Sequence, residues 1–407
     1  MGNVPADFTA RDGMMLIGDR PVDELISEAG DTPLFVYDLG MVERRIARFR
    51  AAFPSVQLHY AIKANSYTLL LNHIAKLVDG LDVASAGELA KALEAGKGAE
   101  CISFAGPGKR DVELAAAIEA GATINLESEG EAARALAIGR GLAIRPRLAV
   151  RVNPDFEIKG SAMRMGGGAR PFGVDAERVP DLVRLLVEQG ADWRGFHIFA
   201  GSQSLGADAL IEAQTATLDL AAKLSEGTGR SPPAVNLGGG FGIPYFAGEQ
   251  PLDVEAVGAA LEQRLAARAL ILAETSFAIE LGRWLVGEAG VYLTRVVDRK
   301  ISHGKTFLVT DGGMHHQLAA SGNFGQVVRR NYPVAIANWF GATPQEEVSI
   351  AGCLCTPLDR LADDVMLPCG EVGDIVAVFL AGAYGLSASP QAFLGHPQAR
   401  EMVVGGS

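Results

Sequence analysis

The stretch VQLHYAIKANS, Val56–Ser66, decides how the rest of the chain is read. Val56, Leu58, Tyr60 and Ile62 alternate with Gln57, His59 and Ala61, the two-residue period of a β-strand. The strand then runs into Lys63, so an ammonium group stands where a buried strand should end.

Working outward, short apolar runs alternate with helical stretches. GLDVAS, CISFAG, ATINLES, RLAVRVN, GFHIFAG, AVNLGGG and SFAIELG read as seven further strands, most of them followed by a helix such as AGELAKALEAG with its terminal Gly96. Such alternation builds a parallel sheet. Eight βα units over about 250 residues favour a closed (β/α)8 TIM-like barrel; an open doubly wound sheet is the competing arrangement. After residue 285 the pattern changes. GVYLTRVVDRKI, KTFLVTDGG, EEVSIAGCLC and DIVAVFLAGAY are alternating runs without matching helices, which read as a mostly antiparallel β domain. The early segment TPLFVYD is placed to add a strand to it. The expected division is 38–285 for the barrel and 1–37 plus 286–407 for the β domain.

The bulk numbers narrow the function. The chain has 407 residues, 48% hydrophobic and 21% charged, with a formal net charge of -12. No clustered Lys and Arg run offers itself to a phosphate backbone, which argues against nucleic acid. No apolar run reaches the roughly 18 residues of a membrane span. Cys101, Cys353, Cys355 and Cys369 are too few and too unevenly spaced for a disulfide framework. The expected setting is a reducing cytoplasm.

In a barrel of this type chemistry sits at the C-terminal ends of the strands. Lys63 follows the first. The sixth ends in FHIFAGSQ, with His197, Ser202 and Gln203. The seventh ends in VNLGGGFGIP, where Gly238, Gly239 and Gly240 let N–H groups face an anion with no Cβ in the way. The eighth ends in AIELGRWLVG, with Glu280 and Arg283. Each residue alone has an ordinary explanation: a surface lysine, a core histidine, a tight turn, a solvated salt bridge. A second glycine run, Gly166 to Gly168, lies in a longer loop and reads as a lid. Together, an amine, a glycine cradle, an arginine, a histidine and a carboxylate are what pyridoxal 5'-phosphate needs. Its aldehyde condenses with a lysine. Its phosphate takes N–H donors and a cation, and its pyridine nitrogen takes a carboxylate that keeps it protonated.

At these residues the sequence resembles the fold type III pyridoxal-phosphate decarboxylases, the ornithine/diaminopimelate decarboxylase family. The resemblance spans roughly residues 30 to 400 and rests on YAIKAN, DVASAGEL, RVNP, HIFAGSQ, NLGGGFG, ELGR, CLCTPLD and GAYG in the family's order. It implies an α-decarboxylase in which Lys63 holds the cofactor, His197 stacks on its ring and Glu280 pairs with the pyridine nitrogen. It implies Ser202, Gly239, Gly240, Arg283 and Tyr384 as phosphate ligands. Cys355 would protonate the α-carbon across the interface of a homodimer, with Arg283, Tyr332, Thr356 and Tyr384 meeting the substrate. No metal is expected, because the chain has only four cysteines and no histidine near Cys353 and Cys355. The alternatives are a racemase on the same barrel and a non-catalytic regulator.

Departures from the family pattern narrow the substrate. Thr356 follows Cys355 where diamine-forming members carry an acid that reads the distal ammonium. A neutral hydroxyl compensates such a charge poorly. PFG (Pro171, Phe172, Gly173) replaces KFG, and Leu281 stands in ELGR where EPGR is usual. These features look most like a subgroup associated with exosortase gene clusters, and like decarboxylases of glutamyl groups held on an acyl-carrier protein. Arg329 and Arg330 are candidates for docking an acidic carrier.

Overall fold

The computed structural model describes residues 4–156, 163–164, 168–324, 326 and 328–406. The chain divides into two compact units. One comprises Ile46–Ile243 and Pro251–Gly282, the other Met1–Arg45, Pro244–Gln250 and Arg283–Ser407.

The first unit is a closed barrel of eight parallel strands: β1 (Gln57–Ala61), β2 (Gly80–Val83), β3 (Ile102–Phe104), β4 (Thr123–Leu126), β5 (Arg147–Asn153), β6 (Asp192–Ile198), β7 (Ala234–Asn236) and β8 (Ser276–Leu281). All eight sequence-expected strands are present. Ring closure comes from β8 pairing with β1, Glu280 opposite His59, and β4 pairing with β5. Leu58 and Tyr60 of β1 are fully buried, as its alternation requires.

The turns between strand and helix follow one local rule. In DVAS-AGEL, Ser85 caps the helix Ala86–Glu94 by accepting from Glu88 N at 3.2 Å. In NLES-EGE, Ser128 caps Glu129–Leu142 by accepting from Glu131 N at 3.1 Å. A serine placed just past a strand satisfies an orphan N–H and starts the returning helix. Gly121 and Gly229 close two other helices in the left-handed conformation.

The second unit is built on Gly290–Ser302. Leu34–Asp38 pairs with it antiparallel, as expected for TPLFVYD, and Ile375–Val378 and Lys305–Thr310 also pair with it antiparallel. Glu346–Ala351 joins Lys305–Thr310 in parallel, and Arg360–Leu367 adds antiparallel beyond it. Val334–Ile336 extends the other side, and Arg400–Val404 runs parallel to Leu34–Asp38. A small three-stranded sheet, Thr9–Arg11, Met14–Ile17 and Arg20–Pro21, was not expected from sequence.

Candidate active site

The turn after β1 corrects the reading of Lys63. The strand stops at Ala61, and Ile62–Ala64 forms a single 3-10 turn. Ile62 and Ala64 are fully buried, whereas Lys63 between them is exposed. An unpaired ammonium is costly to bury, and the turn lifts it clear. The turn is fixed from behind: Tyr60 donates to Asn65 O at 2.7 Å, and Asn65 Oδ1 accepts from Tyr67 N at 2.9 Å. Lys63 Nζ lies 5.6 Å from the ring centroid of Phe199, just past β6.

Glu280 near the end of β8 and His197 on β6 meet inside the barrel, His197 Nε2 at 3.0 Å from Glu280 Oε2. Both are buried. Burial opposes ionisation of Glu280, but His197, Lys63 and Arg151 outweigh it and hold the carboxyl down at about 2. Asn236 on β7, which the sequence reading did not single out, donates to the same carboxylate oxygen at 3.3 Å. Its own Oδ1 accepts from Gly238 N at 2.8 Å.

The glycine run after β7 meets two demands. Gly238 and Gly240 have φ of +71° and +95°, and a Cβ on Gly239 would run into the Glu280 carbonyl. Gly238 O accepts from Glu280 N at 2.9 Å, and Gly240 O from Ser204 N at 2.8 Å. Among the described residues neither Gly239 nor Gly240 donates its N–H to a backbone carbonyl. Ser202 lies on the short strand Gly201–Ser202, and Gln203 beside it holds φ at +62°. Gln203 spans the turn, donating to Ile243 O at 2.7 Å and accepting from Ile243 N at 3.2 Å.

A buried ionic group, also missed from sequence, braces the ends of β3, β4 and β5. Arg151 donates to Glu127 Oε1 at 2.7 Å, which also accepts from Gly106 N, while Glu127 Oε2 accepts from Gly173 N at 2.8 Å. Lys109 pairs with Glu131 at 3.0 Å. The PFG segment is thus tied down: Phe172 lies under the Arg151 guanidinium at 5.1 Å. Of the expected lid glycines, Gly166 and Gly167 lie outside the described residues. At the opposite, N-terminal end of the strands a cavity of about 270 Å³ is lined by Gln57, His59, Asn125, Arg147 and Arg194 among others. That end of a barrel serves stability rather than chemistry.

In the second unit, Arg283 Nη1 donates to Tyr245 Oη at 3.1 Å, and its guanidinium carbon lies 4.8 Å from the Tyr384 ring centroid. Tyr384 holds φ at +54°, a strained value for a bulky residue. Tyr332 is buried and packs on Tyr245 with centroids 4.9 Å apart. In CLCTPLD, Asp359 is the organiser: its buried carboxylate accepts from Met314 N at 2.6 Å and Leu354 N at 2.8 Å. This sets the loop on which Cys355 is exposed and Thr356 half-buried. Cys353 differs. Burial, with Asp359 nearby, pushes its thiol up to about 11, and its sulfur lies 3.7 Å from His396 Nδ1. A histidine therefore does neighbour the cysteine pair, brought from 43 residues away, which local sequence could not show. Arg329 pairs with Asp363 and donates to Ser321 O and Arg360 O; Arg330 pairs with Glu249 at 3.1 Å and stacks 3.8 Å over Phe246. Each of the two arginines thus meets a carboxylate.

Known proteins are similar to this chain over most of its length. Residues 39–287 match the family model described as pyridoxal-dependent decarboxylase, pyridoxal binding domain. The chain is 40% identical over 386 residues to an L-glutamyl-[BtrI acyl-carrier protein] decarboxylase of Niallia circulans, covering 92% of this chain and 89% of that one. It is 32% identical over 402 residues to a diaminopimelate decarboxylase of Archaeoglobus fulgidus, covering 98% and 94%. Among solved structures, diaminopimelate decarboxylase from M. jannaschii in complex with L-lysine superposes with a TM-score of 0.89 at 27% identity, covering 98% of this chain and 93% of that one. An exposed lysine after β1, a buried carboxylate inside the barrel and, among the described residues, glycine N–H groups without backbone acceptors suit an aldehyde, a pyridine nitrogen and a phosphate. The chain belongs to the fold type III pyridoxal-phosphate-dependent decarboxylases.

Proposed function

We propose that this decarboxylase removes the α-carboxyl group from an aminoacyl unit held on an acyl-carrier protein, with glutamyl as that unit. The observation that carries the proposal is Thr356. It stands directly after Cys355, and its hydroxyl is turned to its own loop, accepting from Leu358 N at 3.4 Å. Family members that act on diamino acids place a carboxylate there to compensate the distal ammonium, and a substrate without that ammonium needs none. The 40% identity to a carrier-linked glutamyl decarboxylase supports the same reading.

The residue roles are part of the proposal. Lys63 Nζ tethers the cofactor aldehyde. Gly239, Gly240, Ser202, Arg283 and Tyr384 take its phosphate, and His197 lies on its ring. Bound pyridoxal phosphate supplies the electron sink that lets carbon dioxide leave. Glu280, kept ionised in a buried position, holds the proton on the ring nitrogen that makes the sink effective. Cys355 Sγ delivers a proton to the α-carbon; of the two neighbouring thiols it is the exposed one. Arg283, Tyr332, Thr356 and Tyr384 meet the substrate. We assign the cofactor-binding domain to 38–285 and the β domain to 1–37 plus 286–407. We also infer a cytoplasmic homodimer in which Cys355 serves the partner's site. Among the described residues no helix is long and apolar enough to cross a membrane.

The test is a panel with carbon dioxide detection: free glutamate, ornithine, lysine and diaminopimelate, then glutamyl-loaded carrier. Release only from the loaded carrier supports the proposal. Ordinary turnover of free diaminopimelate would remove it, and an inverted α-carbon without carbon dioxide would reveal a racemase.

A further inference from the structure

One buried phenol belongs to no motif considered so far. Tyr245, in IPYFAG, is 4% exposed. Its oxygen accepts from Arg283 Nη1 at 3.1 Å, and its ring packs on that of Tyr332. Burial raises the Tyr245 pKa, with Arg283 working the other way, so the group is a phenol at neutral pH. A phenol oxygen has two acceptor sites and one proton. Arg283, which can only donate, occupies an acceptor site and leaves the proton to donate.

The guanidinium is equally unspent. Its carbon lies 4.8 Å from the Tyr384 centroid and 5.5 Å from that of Tyr245. Its Nε is buried with no hydrogen-bond partner, and among the described residues no Asp or Glu forms an ion pair with it. This contrasts with Arg329 and Arg330, each neutralised by a carboxylate. A cation packed among aromatic rings and left without a counter-charge is an oxyanion receptor.

We propose that Tyr245 is a positioning residue, holding the Arg283 fork at a fixed angle and adding its own O–H to an oxyanion that Arg283 binds, the cofactor phosphate. This rests on the reading of Arg283 as a phosphate ligand. A substrate carboxylate is the other source of the same chemistry, and the experiment separates the two.

Tyr245→Phe keeps the ring and removes the hydroxyl. Apo-protein is titrated with pyridoxal phosphate and with pyridoxal, which lacks the phosphate, following the absorbance of the bound aldehyde. The expected result is a roughly 10-fold loss of affinity for pyridoxal phosphate, the scale of one charge-assisted hydrogen bond, with affinity for pyridoxal unchanged. Arg283→Lys probes the bond from its other end and should show the same selective loss; Tyr245→Phe added to it should cost less than it does in the wild type, because only its own O–H to the oxyanion is then left to lose. Equal loss for both aldehydes, or none, overturns the inference. A raised substrate KM with unchanged cofactor affinity also overturns it and gives the pair to a carboxylate. If Arg283→Lys itself leaves the preference for the phosphorylated aldehyde intact, the reading of Arg283 fails rather than that of Tyr245.

Discussion

Gly238→Ala perturbs the junction between the glycine run and the carboxylate that faces the ring. The glycine sits at φ +71°, where an L side chain costs about 1–2 kcal/mol. A Cβ there would lie 2.7 Å from Ile198 O and 2.9 Å from the Phe199 ring, where real Cβ contacts stay beyond 3.0 Å. The ends of β6 and β7 must part by a few tenths of an ångström, which adds about 1–3 kcal/mol of overpacking. The sum is roughly 2–5 kcal/mol. At about 2–4 °C per kcal/mol for a unit of this size, Tm should fall by roughly 4–20 °C. The same shift disturbs the 2.9 Å bond from Glu280 N to Gly238 O and the 2.8 Å bond from Gly238 N to Asn236. Cofactor affinity should therefore fall at least about 10-fold. The control is Gly141→Ala, within the helix Glu129–Leu142, where an added Cβ meets nothing; it should be neutral or stabilise by about 0.4–1 kcal/mol. Differential scanning calorimetry and cofactor titration read both effects. A Gly238→Ala protein with unchanged Tm and unchanged cofactor affinity would refute the reasoning.

Other outcomes follow from the same geometry. Asp359→Ala strands two buried N–H groups, Met314 and Leu354, and should cost roughly 2–6 kcal/mol in urea unfolding while lowering turnover through the Cys355 loop. Glu280 has a folded pKa of about 2 against an ordinary 4.5, so its stabilising contribution is complete above about pH 4.5 and is lost as pH falls toward 2. The stability gap between wild type and Glu280→Gln should accordingly narrow on acidification across that window; a gap that widens would contradict the assignment. Alkylation with iodoacetamide at pH 8, mapped by mass spectrometry, should modify exposed Cys355 well before Cys353, whose thiol ionises only near 11. Equal rates would remove the distinction drawn between the two thiols.

The barrel was legible because its signal is local and repeated. Each strand is a short apolar run, and DVAS and NLES announce the capped helix that follows. The second unit was legible in part. Arg360–Leu367 carries two aspartates and its pairing is bulged, and Arg400–Val404 is one short run at the end of the chain, so neither shows a clean period. At the site, the residues proposed for chemistry lie in motifs the sequence displays, whereas their supports do not. Asn236 matters through one side-chain amide shared between Glu280 and Gly238. Glu127 matters because β3, β4 and β5 converge on it, and Tyr245 because it accepts from Arg283. His396 reaches Cys353 from the far end of the chain. These are relations between distant residues, and no periodicity records them. Lys63 shows the limit at close range: alternation carried the strand through Ile62, but the chain turns at Ala61 and delivers the amine exposed.

The most direct test of the account is to load the protein with pyridoxal phosphate, reduce it with sodium borohydride, digest it and locate the phosphopyridoxyl group by mass spectrometry. The account predicts that the label sits on the peptide containing Lys63, and that Lys63→Ala carries none. Label on another lysine, or stable labelling of the Lys63→Ala protein, would contradict it.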